Sequence, residues 1–178
     1  VGSEMCIRDS SNPHNPAGIT WDADTLRRLA DFCSEHNIIV ISDEIHSDMA
    51  IFGNKHVPFA SVSETAAQCS ITFGAPSKTF NIAGIVSSWC IVPNEKLRRP
   101  LFEWMTANEL DDPHLFAPIA TMAAFKNGEE WRQQMLAYVE QNILFVEEFL
   151  SKHLPQIKAV RPQASFLVWL DCRGLHLD

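Results

Sequence analysis

The feature that most constrains this chain is a run of four β-formers, Ile38-Ile39-Val40-Ile41, that leads directly into Ser42-Asp43-Glu44. An apolar run without alternation predicts a strand covered on both faces, as in a parallel sheet layered between helices. The segment before it reads as a helix over 20–36. Thr20 is the expected N-cap, Asp22 and Asp24 sit in the first turn, and Leu26, Leu29, Ala30 and Cys33 share one face. Asn37 is the expected stop. A helix, then a covered strand, then an acid at the strand end predicts an α/β fold with a ligand at the carboxyl edge of the sheet.

The alternation continues downstream. Strands are expected over 70–73 and 86–92, the latter closed by Pro93. Helices are expected over 94–111, within 114–127, and over 129–153. Pro100 should kink the first of these or delay its start, and Pro155 closes the last. Two further strands, 157–160 and 165–170, open another unit. The first ten residues, VGSEMCIRDS, stand where a buried strand should feed the loop at 11–18. Glu4, Arg8 and Asp9 interrupt such a strand, so 1–10 is read as a non-native lead and left out of the fold.

Charge and cysteine usage narrow the function classes. A net charge of −8 and a pI near 5.3 give no general attraction to nucleic acid or to anionic lipid. No apolar run is long enough to span a bilayer, and the start lacks the pattern of a secretory signal. The five cysteines form no CxxC pair and lie mostly in apolar segments, so small, buried, reduced residues of a cytoplasmic protein are expected.

Three segments could carry chemistry: Ser11-Asn-Pro-His-Asn-Pro-Ala-Gly18, Ile41-Ser-Asp-Glu-Ile-His-Ser-Asp48 and Phe73-Gly-Ala-Pro-Ser-Lys-Thr-Phe-Asn-Ile-Ala-Gly84. The first is a rigid turn-rich loop that could simply connect strand to helix. In the second, Asp43 follows a strand end and is placed to meet a cofactor. Alternatively Asp43 and Glu44 are plain loop acids, or Asp43, Glu44, His46 and Asp48 suit a hard divalent ion, without a spacing diagnostic of one. In the third, Lys78 lies between Ser77 and Thr79, ahead of apolar Phe80, Ile82 and Ala83. An amine in such a strand-end loop can act as a nucleophile, or it can be an ordinary exposed lysine. The Asp-Glu-Ile-His box has a helicase-like look, but the phosphate loop such an enzyme needs upstream is missing.

Taken together and in order, the three segments resemble the pyridoxal-phosphate enzymes of the aspartate aminotransferase fold. The similarity is strongest to the cystathionine β-lyase-like C–S lyases grouped with class I/II aminotransferases, and it extends through Pro162-Gln-Ala-Ser-Phe-Leu-Val-Trp-Leu-Asp171. The resemblance implies an α/β fold: part of a doubly wound, mostly parallel sheet over 11–154, plus the beginning of a small α+β domain over 155–178. It implies that Lys78 anchors pyridoxal 5'-phosphate covalently and, once released, takes the substrate's Cα proton. Asp43 would pair with the pyridine nitrogen, and Asn15 would donate to the phenolic oxygen. His46 would contact that oxygen or stack nearby, where many relatives have tyrosine. Ser77 is the weaker candidate, for the cofactor phosphate. Two departures matter. Val86 stands where many aminotransferases carry a phosphate-binding Arg, and Ala75 replaces a common phosphate-binding serine; both fit the lyase-like branch. The implied activity is β-elimination on cystathionine or a cysteine S-conjugate, by a homodimer acting on an amino acid, with transamination as the alternative. Because the family's glycine-rich phosphate loop and carboxylate-binding arginine are not in these residues, the chain reads as the middle half of a longer one. A catalytically inert fragment, or a non-enzymatic effector-sensing domain, is the reading from a different class.

Overall fold

A computed structural model describes residues 6–176 of the chain. Six strands and five α-helices alternate along it. The main sheet has four strands in the order β1 (Cys6–Ser11), β2 (Ile38–Asp43), β3 (Ser70–Gly74) and β4 (Trp89–Ile91). The first three run parallel, and β4 pairs antiparallel with β3. The mostly parallel α/β sheet expected from the sequence is therefore present.

Helix α1 (Ala23–Glu35) crosses from β1 to β2, as a parallel pair requires. It starts later than the sequence suggested. Asp22, not Thr20, is the N-cap, and its carboxylate accepts from the Thr25 amide at 2.8 Å. Thr20 is drawn away instead: its amide donates to the Gln163 side chain. Leu26, Ala30 and Cys33 bury themselves against Val40 of β2, together with Phe59 and Ala66. Ala66 belongs to α2 (Glu64–Gln68), a single turn capped by Ser63. This is the core of the described chain. It covers Val40 and Ser42 fully, whereas Ile39 and Ile41 on the other side of β2 are only half-buried.

The strand at Cys6–Ser11 overturns the expectation that Arg8 and Asp9 interrupt a strand there. It pairs residue for residue with β2, from Cys6 opposite Ile38 to Ser11 opposite Asp43. Its first four residues are exposed. It lies at the end of the strand order, where charged side chains are ordinary and do not break pairing. Glu4, and residues 1–5 as a whole, lie outside the described residues.

The helical half follows its pattern with two adjustments. Helix α3 spans Glu95–Ala107 behind an Asn94 cap and runs through Pro100. Helices α4 (Ala117–Asn127) and α5 (Glu129–His153) are separated by Gly128 alone. A two-stranded antiparallel sheet, β5 (Lys158–Val160) with β6 (Trp169–Asp171), closes the described chain. The cysteines divide: Cys33 is buried, Cys69 and Cys90 are half-buried, and Cys6 and Cys172 are exposed, so burial is not their common property. Burial pushes the thiol pKa of Cys33, Cys69 and Cys90 up.

Candidate active site

The carboxyl ends of β1, β2 and β3 lie side by side, and each releases one of the three motif segments. Ser11, Asp43 and Phe73 are aligned across the strands. The loop after β1 carries Asn15, the loop after β2 carries His46, and the loop after β3 carries Ser77 and Lys78. Parallel pairing thus brings to one sheet edge residues separated by more than sixty positions in sequence.

Asp43 is the last residue of β2 and is exposed. Its Oδ1 accepts from the Ile45 amide at 3.1 Å, while Oδ2 has no partner among the described residues. Its neighbour Glu44 turns the other way, into the protein. Glu44 is 3% exposed; Oε1 accepts from Ser42 Oγ and the Phe59 amide, each at 2.9 Å, and Oε2 meets His56 Nε2 at 2.8 Å. With Glu44 engaged there, Asp43, Glu44, His46 and Asp48 do not form a ligand set. Among the described residues no group of three or more His, Cys, Asp or Glu is arranged to hold a metal ion.

His46 is 2% exposed, and neither ring nitrogen has a hydrogen-bond partner. The edge of its ring faces Phe166, with centroids 5.9 Å apart. Burial holds its pKa below the ordinary 6.5; the Asp43 charge opposes that shift and the Lys78 charge adds to it. Buried imidazole nitrogens without partners are uncommon in finished protein interiors.

Lys78 is exposed, Ser77 half-buried and Thr79 fully buried. Lys78 makes no ion pair among the described residues, so its amine is uncommitted. The loop beneath it is firmly held. Phe80 N donates to Pro76 O at 2.9 Å and Ile82 N to Ser77 O at 3.1 Å. Phe80 packs edge-on against Phe125. Gly74, where the loop leaves β3, lies under the Trp89 ring, and a Cβ there would come within 2.2 Å of it.

Asn15 is exposed, its amide donating to Ser11 Oγ at 3.4 Å. Its loop is rooted by Asn12, which the sequence reading passed over. Asn12 is fully buried; its amide donates to Asp43 O, its Nδ2 to Val57 O, and its Oδ1 accepts from Trp21 N. The Asn12–Pro13 and Asn15–Pro16 bonds are both cis. The signal for Asn12 was present in the first motif, but nothing there distinguished the Asn that roots the loop from the Asn at its tip.

The structure thus brings an uncommitted amine, an outward carboxylate, an exposed amide and an unpartnered imidazole to one sheet edge. The chain belongs to the family described as aminotransferase class I and II, whose match spans residues 10–177. It is similar to cystathionine beta-lyase PatB of Bacillus subtilis, at 44% identity over 94% of this chain and 43% of that protein. Its fold is similar to cystalysin of Treponema denticola, a structure containing pyridoxal 5'-phosphate, at a TM-score of 0.91 and 32% identity over 96% of this chain and 43% of that one. A PLP-bound C–S lyase of Staphylococcus hominis matches at a TM-score of 0.84 and 34% identity, over 93% of this chain and 42% of that one. The chain thus spans less than half the length of these relatives.

Proposed function

We propose that the protein carrying this chain is a pyridoxal-phosphate-dependent C–S β-lyase, and that residues 11–154 supply the cofactor-anchoring part of its larger domain. Residues 155–178 are then the beginning of the smaller one. The observation that carries the reading is the juxtaposition at one sheet edge of Lys78, Asp43 and a buried His46 with both nitrogens free. The similarity to named cystathionine and C–S lyases supports the reaction class.

The residues suit the cofactor's chemistry. Lys78 would hold the cofactor through its amine, and Asp43 Oδ2, with no partner among the described residues, would hold a proton on its ring nitrogen. Asn15 would donate to the phenolic oxygen, and His46 would contact that oxygen or stack nearby. Ser77 is the candidate for the phosphate. When bound, pyridoxal phosphate supplies an electron sink for the pair left at the substrate's Cα. The protein's own work is then proton transfer and charge placement. Lys78 would serve as the general base that takes the Cα proton. Asp43 keeps the ring nitrogen protonated throughout. The Cβ–S bond breaks and the sulfur leaves as a thiol. With one water consumed, cystathionine gives homocysteine, pyruvate and ammonia.

The proposal extends to a homodimer working in the cytoplasm on an amino-acid substrate. It is tested by supplying the full-length protein with pyridoxal phosphate and cystathionine and following pyruvate with a coupled dehydrogenase. Stoichiometric pyruvate and homocysteine are expected. Exchange of amino groups between the substrate and added 2-oxo acids, with no pyruvate, would replace the lyase by an aminotransferase.

A further inference from the structure

The two loops that carry Asn15 and His46 come from different strands, and a third segment fastens them together. This segment, Pro162–Phe166, follows β5 and is some 110–150 residues away in sequence. Toward the Asn15 loop, the amides of Gln163 and Ala164 both donate to Gly18 O, at 2.7 and 3.1 Å. The Gln163 side chain adds a further tie: Oε1 accepts from Thr20 N at 2.9 Å and from Thr20 Oγ1 at 3.3 Å. The approach is close enough that a Cβ on Gly18 would meet Pro162 Cβ at 2.4 Å, and Gly18 has a φ of +67°. Toward the His46 loop, Ile51 N donates to Gln163 O and Ser165 N to Met49 O, around an antiparallel bridge between Ala50 and Ala164. Phe166 completes the contact by facing the His46 ring.

Gln163 therefore holds one loop with its side chain and amide and the other with its carbonyl. The Asn15 loop needs such an external hold. Among the described residues its tip has only the long Asn15–Ser11 bond and the turn bonds around His14. A loop tip with so few bonds is at the low-stability end of a structure, where local opening is easy.

Building on the cofactor reading above, we propose that Gln163 is a positioning residue. By tying Thr20 and Gly18 to Ile51 it fixes the spacing between Asn15 and His46, and with it the grip of both on the cofactor's ring oxygen. It touches neither cofactor nor substrate. Because the segment lies between β5 and β6, a displacement of that sheet reaches both loops through it, and Gln163 is the residue in it whose side chain and carbonyl bond to both.

The test uses the full-length protein as wild type, Q163A and Q163E. Glutamate keeps an acceptor at the Oε1 position; alanine removes it and leaves the backbone bonds. Three readouts are taken: cofactor dissociation constant, hydrogen exchange at residues 14–20, and melting temperature without cofactor. Losing this net hydrogen-bond contribution should speed exchange at Thr20, and weaken cofactor binding, by about fivefold to tenfold in Q163A. The melting temperature should stay close to wild type, and Q163E should restore both quantities. Wild-type cofactor affinity in Q163A overturns the proposal, and so does a Q163E protein as defective as Q163A. Reductive trapping of the cofactor on Lys78 is run beside each variant. Trapping there with unchanged affinity rejects the positioning role alone, whereas no trapping on Lys78 in the wild type rejects the cofactor reading beneath it.

Discussion

Asp43 and Glu44 are chemically near-identical neighbours with opposite roles, and the strand's two-residue period separates them. Val40, Ser42 and Glu44 point into the core, while Asp43, between the last two, points out toward the site. Glu44 is then held by Ser42, His56 and the Phe59 amide, a buried carboxylate with both oxygens satisfied. His46 shows the reverse condition, a buried ring with no partner. Its pKa lies below 6.5 because burial penalises the imidazolium. A group lowered in this way favours the fold fully above its ordinary pKa, and that contribution is lost as pH falls below 6.5. An NMR titration of the cofactor-free protein should find the His46 midpoint below 6.5, lowered further by Asp43→Asn and raised by Lys78→Met. A wild-type midpoint at or above 6.5 would contradict the burial argument.

The segment that presents Lys78 depends on how β3 ends. Gly74 pairs with Trp89 across the antiparallel β3–β4 ladder, and the indole lies where a Cβ would otherwise be. Gly74→Ala should cost about 1–3 kcal/mol through overpacking. Urea unfolding followed by tryptophan fluorescence measures this, and an unchanged midpoint would refute the packing account. Elements that announce themselves through apolar runs or helical periodicity were legible: β2, β3 and α5 fall close to where the sequence put them. Strand β1 was not legible, because its residues are mostly exposed and it is defined by pairing with β2 rather than by its own side chains. Helix α2 is five residues long, too short to show a period. Thr20 misled because its amide and hydroxyl bond to Gln163, a partner 143 residues away that local propensity cannot reveal. The three motif segments do lie at one sheet edge, but the ties that hold them, Asn12, Glu44–His56 and Gln163, are made through tertiary contacts that the sequence does not show.

At the scale of the whole molecule, the described chain carries a broad apolar surface on its helical half. Leu115, Phe116, Ile119 and Met122 lie exposed in and before α4, and Tyr138, Phe145 and Phe149 along α5. On the proposed reading, what this stretch contributes is the anchoring edge, where three parallel strands deliver an amide, a carboxylate, an imidazole and an amine. That account rests most heavily on Lys78, one of six lysines in the sequence. The measurement that tests it directly is borohydride reduction of the full-length protein loaded with pyridoxal phosphate, followed by peptide mass mapping. The account predicts a single pyridoxyl-modified residue, Lys78, with the modification abolished in Lys78→Ala and retained in Lys55→Ala. A modification that maps to any other lysine, or that persists in Lys78→Ala, would contradict it.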